Sequence, residues 1–281
     1  MIGDERPSAA ALTRRLRLHR RQWRHDGRTY QVISLRPSDP TRYAARTERH
    51  WTIVSSDLAG ARLLGRLLWG LSYQRRPDTL LVLEPGRIVP DPDHGRPSPT
   101  LVFAVAGRTV LPAATGRRLR RTQLWRSRPT GTVTWNTSSF HRSLAVLHAV
   151  RDARRNGAPQ AHTYEPSPRP ADVTVSPDLV TALATPARLR EWATSAGDAG
   201  GYWYSDESCT ELDWNATLDV HAVRHFYRRS AAAHRARAEV LAAPDCPTEP
   251  ELIDQQVRAH VDVVAARRPG PWDFRPPDRR G

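Results

Sequence analysis

Apolar positions along the chain change period several times, and each change predicts an element. Leu12, Leu16, His19 and Trp23 fall at i, i+4, i+7 and i+11, which predicts a helix over residues 8–26, capped by Ser8 and stopped by Gly27. Arg14, Arg15, Arg17, Arg20, Arg21 and Arg24 cover the rest of that helix. Residues 28–35 (RTYQVISL) read as a strand, followed by a turn from Pro37 to Pro40. The run from His50 to Ser55 predicts a buried strand. Ser56 or Asp57 then caps a helix to about Arg75, with Leu63, Leu64, Leu67, Leu68 and Leu71 as its apolar stripe. Gly60, Gly65 and Gly70 recur every five residues, a spacing that cannot hold them on one helix face and that lowers helix propensity. Thr79–Leu83 is a second apolar strand, so 51–84 reads as a right-handed βαβ crossover.

Residues 85–100 hold five prolines and read as a loop. Leu101–Ala106 reads as a strand that Gly107-Arg108 turns into Thr109–Leu111. The basic stretch 116–130 has no clear period. Gly131–Trp135 reads as a strand, and Ser138 or Ser139 caps a helix from Phe140 to Arg155. Residues 158–177 are Pro-rich and read as a linker. Helices are then predicted to start at Ser176-Pro177-Asp178 and at Thr185-Pro186, the second ending at Gly197. An irregular aromatic segment (197–214) leads into a long Ala-rich helix over 216–242. Thr248 and Glu251 form a capping box for a last helix to about Arg268, with Leu252/Ile253, Val257, Val261 and Val264 on its core face. The fold class expected is α+β or α/β. An N-terminal mixed β-sheet domain containing a βαβ unit (1–157) is followed by a linker (158–177), a mainly helical domain (178–268) and a flexible tail (269–281).

Composition narrows the chemistry. The 281 residues contain no lysine, so all 43 cations are arginine. P-loops and kinases use a lysine to hold phosphates, and pyridoxal enzymes and Schiff-base lyases need a lysine amine as nucleophile, which arginine cannot replace because it does not deprotonate. A GC-rich genome explains arginine in place of lysine, but not the surplus over 29 acidic residues, a formal +14. That surplus is uneven. Residues 1–50 hold 12 Arg against 5 acids, and residues 101–150 hold 8 Arg against none. No acid occurs between Asp93 and Asp152. Two separated cysteines, Cys209 and Cys246, make neither a disulfide framework nor a zinc knuckle. The N-terminus lacks the apolar core of a signal peptide, and Arg62 and Arg66 interrupt the most apolar run, Leu58–Leu71. A cytoplasmic protein without a membrane partner is therefore expected. Oligomeric state is not readable, and with no cofactor motif in the chain, none is expected.

The leading expectation is a non-catalytic, nucleic-acid-associated accessory or regulatory protein that binds a nucleic acid or other polyanion. Arg14, Arg15, Arg17, Arg21, Arg117, Arg118, Arg120, Arg121, Arg126 and Arg128 would contact phosphates, because a guanidinium pairs with phosphate bidentately. Trp125 would stack on a base, or else pack into the sheet. The alternative is an α/β hydrolase or transferase acting on a phosphate-bearing substrate. Asp57, Glu84 and His141 would then supply acid–base groups at the C-terminal strand edge, with Ser55 and Ser138 holding the anion. No nucleophile elbow or dinucleotide loop accompanies them. His221 and His225, at i and i+4 on the predicted helix, have a zinc-compatible spacing without the glutamate of a metalloprotease motif. His221, Arg224 and His225 also resemble the H-x-x-R-H box of tyrosine recombinases. That family's catalytic tyrosine lies further along, and this chain has none after Tyr227. A third option is a protein-binding module using the Arg-rich helix or the aromatic–acidic cluster Gly201–Glu207.

Overall fold

The computed structural model describes residues 15–48, 51–156, 171–176, 178–201, 203–213 and 218–267. The expected tail (269–281), most of the expected linker and Arg14 lie outside these residues. The chain folds as an α+β protein with two mixed sheets and six α-helices among the described residues. The larger sheet contains β1 (Arg15–His25), β2 (Arg28–Ser34), β5 (Thr79–Leu83), β6 (Thr100–Val105), β7 (Gly131–Asn136), β8 (Ala171–Ser176) and β9 (Leu179–Ala184), in the order β7-β1-β2-β5-β6-β9-β8. The smaller sheet contains β3 (Ala44–Glu48), β4 (Trp51–Ser56), β10 (Glu207–Asp213) and β11 (Leu218–Val223), in the order β10-β11-β4-β3. Parallel pairs (β2 with β5, β6 with β9, β4 with β11) are interspersed among antiparallel ones.

Two helices form the layer between the sheets. These are α1 (Leu58–Ser72) and α4 (Pro186–Gly197), which pack on one another. Their apolar surfaces join Leu16, Leu18, Leu81, Phe103 and Val180 of the larger sheet to Val54, Leu218 and Val220 of the smaller one in a single core. Being covered on both sides explains why α1 is apolar around most of its circumference. It also explains two of the three glycines. A Cβ at Gly65 would lie 2.6 Å from the Ala193 carbonyl oxygen of α4, and one at Gly70 would lie 2.5 Å from the Trp135 ring on β7. The five-residue spacing serves a helix with neighbours in several directions. Asp57 caps α1 by accepting the Gly60 N–H at 2.7 Å, as the sequence indicated.

Several expectations fail for identifiable reasons. Residues 15–25 form strand β1, not a helix. Asp26 and Gly27 both adopt positive φ (46° and 72°) and join β1 to β2 as a tight hairpin. The strand–helix–strand of 51–84 is present, but β4 and β5 enter different sheets, so it is not a single-sheet crossover. Gly107 turns the chain at φ 77°, yet 109–111 forms no strand. Residues 171–176 and 179–184 pair as a hairpin and complete the larger sheet. No helix therefore starts at Ser176, and residues 171–176 of the expected linker form a strand of the larger sheet. The expected helix over 216–242 is strand β11 followed by α5 (Phe226–Ala242). Helix α6 (Pro250–Ala266) starts after Glu249 without a Thr248 cap, although Ile253, Val257, Val261 and Val264 do form its buried face. Together α5 and α6 make the helical C-terminal part, with a separate apolar cluster. The other helices are α2 (Ala113–Arg121) and α3 (Ser138–Arg155).

Candidate functional site

The strand register sorts the arginines of β1. Leu16 and Leu18 point toward the α1–α4 layer, so the alternate residues Arg15, Arg17, His19, Arg21 and Trp23 point to the opposite face. Arg20 and Arg24 therefore do not share a face with Arg21. The basic stretch after β6 runs over that opposite face. Helix α2 packs through Gly116 and Leu119, and a Cβ at Gly116 would lie 2.5 Å from the Leu179 side chain on β9. The chain then crosses back through a 3-10 turn (Gln123–Arg126), and the Thr130 hydroxyl donates to the Arg20 carbonyl at 3.1 Å. From β9 to β1 the path covers four interstrand steps, roughly 19 Å.

Trp125 joins the two basic segments. Its ring is half-buried against the cluster that includes Trp23, Tyr30 and Leu119, and the Arg21 guanidinium lies 5.9 Å from its centroid. Trp125 thus ties the basic turn to the sheet and packs on it with part of its ring left accessible. Arg117, Arg118, Arg121 and Arg128 are exposed, as are Arg15 and Arg17. Among the described residues, none of these six has a carboxylate partner. Arg120 pairs with Asp178 at the surface, and Arg21, expected to contact phosphate, is instead buried, donating to the Ser34 hydroxyl at 2.9 Å and lying 3.9 Å from Glu84. Arg126 is exposed on the same turn. Neighbouring titrations reflect the surroundings. Burial, followed by the charges of Arg21, Arg36 and Arg87, holds the His19 imidazole below its ordinary value. Burial raises the Glu84 carboxyl, with Arg21, Arg87 and Arg42 pulling it down.

The expected acid–base residues occupy separate elements. Asp57 follows β4 of the smaller sheet, with the fully buried Ser55 near that strand's end. Glu84 follows β5 and His141 lies in the first turn of α3, after β7, which runs parallel to β5 within the larger sheet. The His141 ring packs edge-on against Phe140, and the Ser138 N–H bonds to the Asn136 side chain at 2.9 Å.

His221 and His225 do not share a helix face. His221 lies on β11, and His225 precedes α5 in a left-handed conformation (φ 54°). Sequence reasoning instead missed a polar face on the smaller sheet. Cys209 and His221 are directly paired across β10 and β11, and Glu211 faces Asp219. The Glu207 carboxylate lies 3.3 Å from His221 Nδ1. Burial would lower the His221 pKa, but hydrogen bonding to Cys209 and Glu207 raises it to about 9. Asp219 is pushed up to about 6 by burial, opposed by His221 and reinforced by Glu211. The face continues through Arg229, which lies 3.0 Å from Asp93, to Arg46, which pairs with Asp91, Asp93 and Glu48. Asp91 also accepts the N–H groups of Asp93 (2.9 Å) and His94 (2.8 Å). The signals that could have found this face are the period-two pattern Glu207-x-Cys209-x-Glu211 opposite Asp219-x-His221, and the turn Asp91-Pro92-Asp93-His94-Gly95.

No helix among the described residues is long and apolar enough to cross a membrane. Comparison with known proteins finds no matching family model, no similar curated protein and no similar solved structure.

Proposed function

We propose that this is a non-catalytic, nucleic-acid-associated accessory or regulatory protein that holds a polyanion along the arginine strip. The observation that carries the reading is that the exposed Arg15 and Arg17 of β1 share one face of the larger sheet with the 113–128 segment, which the buried Arg21 ties to β1 over Trp125. Such a row of guanidinium groups suits a repeating anion. Each contact releases condensed counterions, and the fixed fork matches phosphate geometry. The exposed guanidinium groups of the strip suit backbone contact, which carries no base-sequence information. Titration of labelled single-stranded and duplex DNA and RNA at low salt tests it by fluorescence anisotropy. Saturable binding to at least one of the four is expected, and a flat signal with all four overturns the reading.

A further inference from the structure

The outer face of the smaller sheet carries a second, independent grouping. Antiparallel pairing sets Cys209 on β10 directly opposite His221 on β11, so both side chains leave the same face of the sheet. Asp219 precedes His221 by two residues and leaves that face as well. The thiol sulfur, an imidazole nitrogen and a carboxylate oxygen of these residues lie within 4.8 Å of one another. Asp219 is 8% exposed, and its Oδ1 has no hydrogen-bond partner among the described residues. A buried carboxylate oxygen without a donor is costly unless something else satisfies it.

We infer that Cys209, Asp219 and His221 form a binding site for a divalent transition-metal ion of the zinc class. The donor set of one thiolate, one imidazole and one carboxylate is that of a borderline-soft ion, not of magnesium or calcium, which prefer oxygen. Glu207 has the place of a positioning residue. It takes His221 Nδ1 at 3.3 Å, fixing the ring and leaving the other nitrogen to coordinate. Ligand atoms around tetrahedral zinc stand roughly 3.2–3.8 Å apart, so side-chain adjustment of about 1 Å closes the site. Cys209 is exposed, which leaves a fourth position open to water or a small ligand.

Cobalt(II) reports directly on this geometry. Added to chelator-treated full-length protein, it should give a saturable one-equivalent titration. Thiolate-to-metal charge-transfer absorption and the strong visible bands of a four-coordinate site should both appear, and zinc should abolish them. The chain has only two cysteines, so assignment is direct. Cys209→Ser should remove the charge-transfer band, and Cys246→Ser should leave it unchanged. His221→Ala should weaken binding at least tenfold, and Glu207→Gln by roughly tenfold or more through loss of ring orientation. Circular dichroism of each variant separates a lost ligand from a lost fold, and the exposed Cys209→Ser keeps the test open if a buried variant misfolds. No saturable band in the wild-type chain, or a band that survives Cys209→Ser, overturns the assignment.

Discussion

Replacing Arg46 with methionine removes a cation held among three carboxylates. Its Nη1 lies 3.3 Å from Asp91 and also bonds to Asp93, and its Nε lies 2.9 Å from Glu48. The Asp91 and Asp93 side chains are only 1% and 5% exposed. At 3.3 Å and an effective dielectric near 20, a unit-charge pair attracts by about 5 kcal/mol. Desolvation of the intact group offsets much of that attraction, but deleting one partner leaves buried carboxylates facing each other, at about 3–5 kcal/mol. Asp93 keeps Arg229 and Asp91 keeps His94, so Arg46→Met should fall at the lower end, about 3 kcal/mol. For a chain of this size that is a Tm decrease of roughly 6–12 °C. Guanidinium unfolding followed by tryptophan fluorescence, together with calorimetry, measures it. Neutralising the orphaned acid in the double variant Arg46→Met/Asp91→Asn should recover a substantial part of the loss. A single-variant loss below about 1 kcal/mol, or no recovery in the double variant, would refute the view that this cluster is held by charge compensation.

The same cluster sets a pH dependence. Burial would raise the Asp91 pKa, but hydrogen bonding from His94, then the Arg46 charge and two backbone N–H groups, hold it down to about 2. Its folded value lies below its unfolded one, so the stabilisation is present above about pH 4. It is lost as pH falls toward 2, a change of roughly 2–3 kcal/mol. Wild-type unfolding free energy should therefore drop more steeply than that of Asp91→Asn between pH 4 and 2 (roughly the window between the two values), and parallel curves would contradict it. Gly95→Ala should cost at least about 3 kcal/mol, because a Cβ there combines φ 62° with a 2.1 Å approach to the Ala233 carbonyl oxygen. Gly27→Ala has the same kind of φ (72°) but open space, so its cost should be about 1 kcal/mol. Equal losses in these two variants by denaturant unfolding would show that the contact with α5 is unimportant.

Elements with a single strong period were legible in the sequence. Strands β2, β4, β5, β6 and β7 and helices α1, α3 and α4 lie where their apolar runs and caps place them. The failures cluster where two periods coincide. Leu12, Leu16 and Trp23 fit a helical stripe, whereas Leu16 and Leu18 against Arg21 and Trp23 fit a strand buried on opposite faces at its two ends. The Asp26-Gly27 pair decides between the readings, since it specifies a hairpin turn. Residues 218–225 failed for a related reason, because alanine and valine around His221 suit either element until the pairing with β10 is known. Charge was legible as an amount and as two dense stretches, but not as a surface. Which arginines share a face depended on the sheet register and on the path of 113–131, neither of which composition encodes. The Cys209–Asp219–His221 grouping was hidden in the same way, because its members meet only across a strand pair.

The salt dependence of polyanion binding tests the central claim most directly. Wild-type protein and the double variant Arg117→Glu/Arg121→Glu would be titrated, between about 50 and 200 mM salt, with whichever of the four labelled nucleic acids the wild type binds most tightly. The account predicts a steep fall in wild-type affinity. The variant should bind at least tenfold more weakly, with a slope shallower by roughly 2 in log–log form, about 0.9 for each phosphate contact removed. Equal affinities and equal slopes for the two proteins would contradict it.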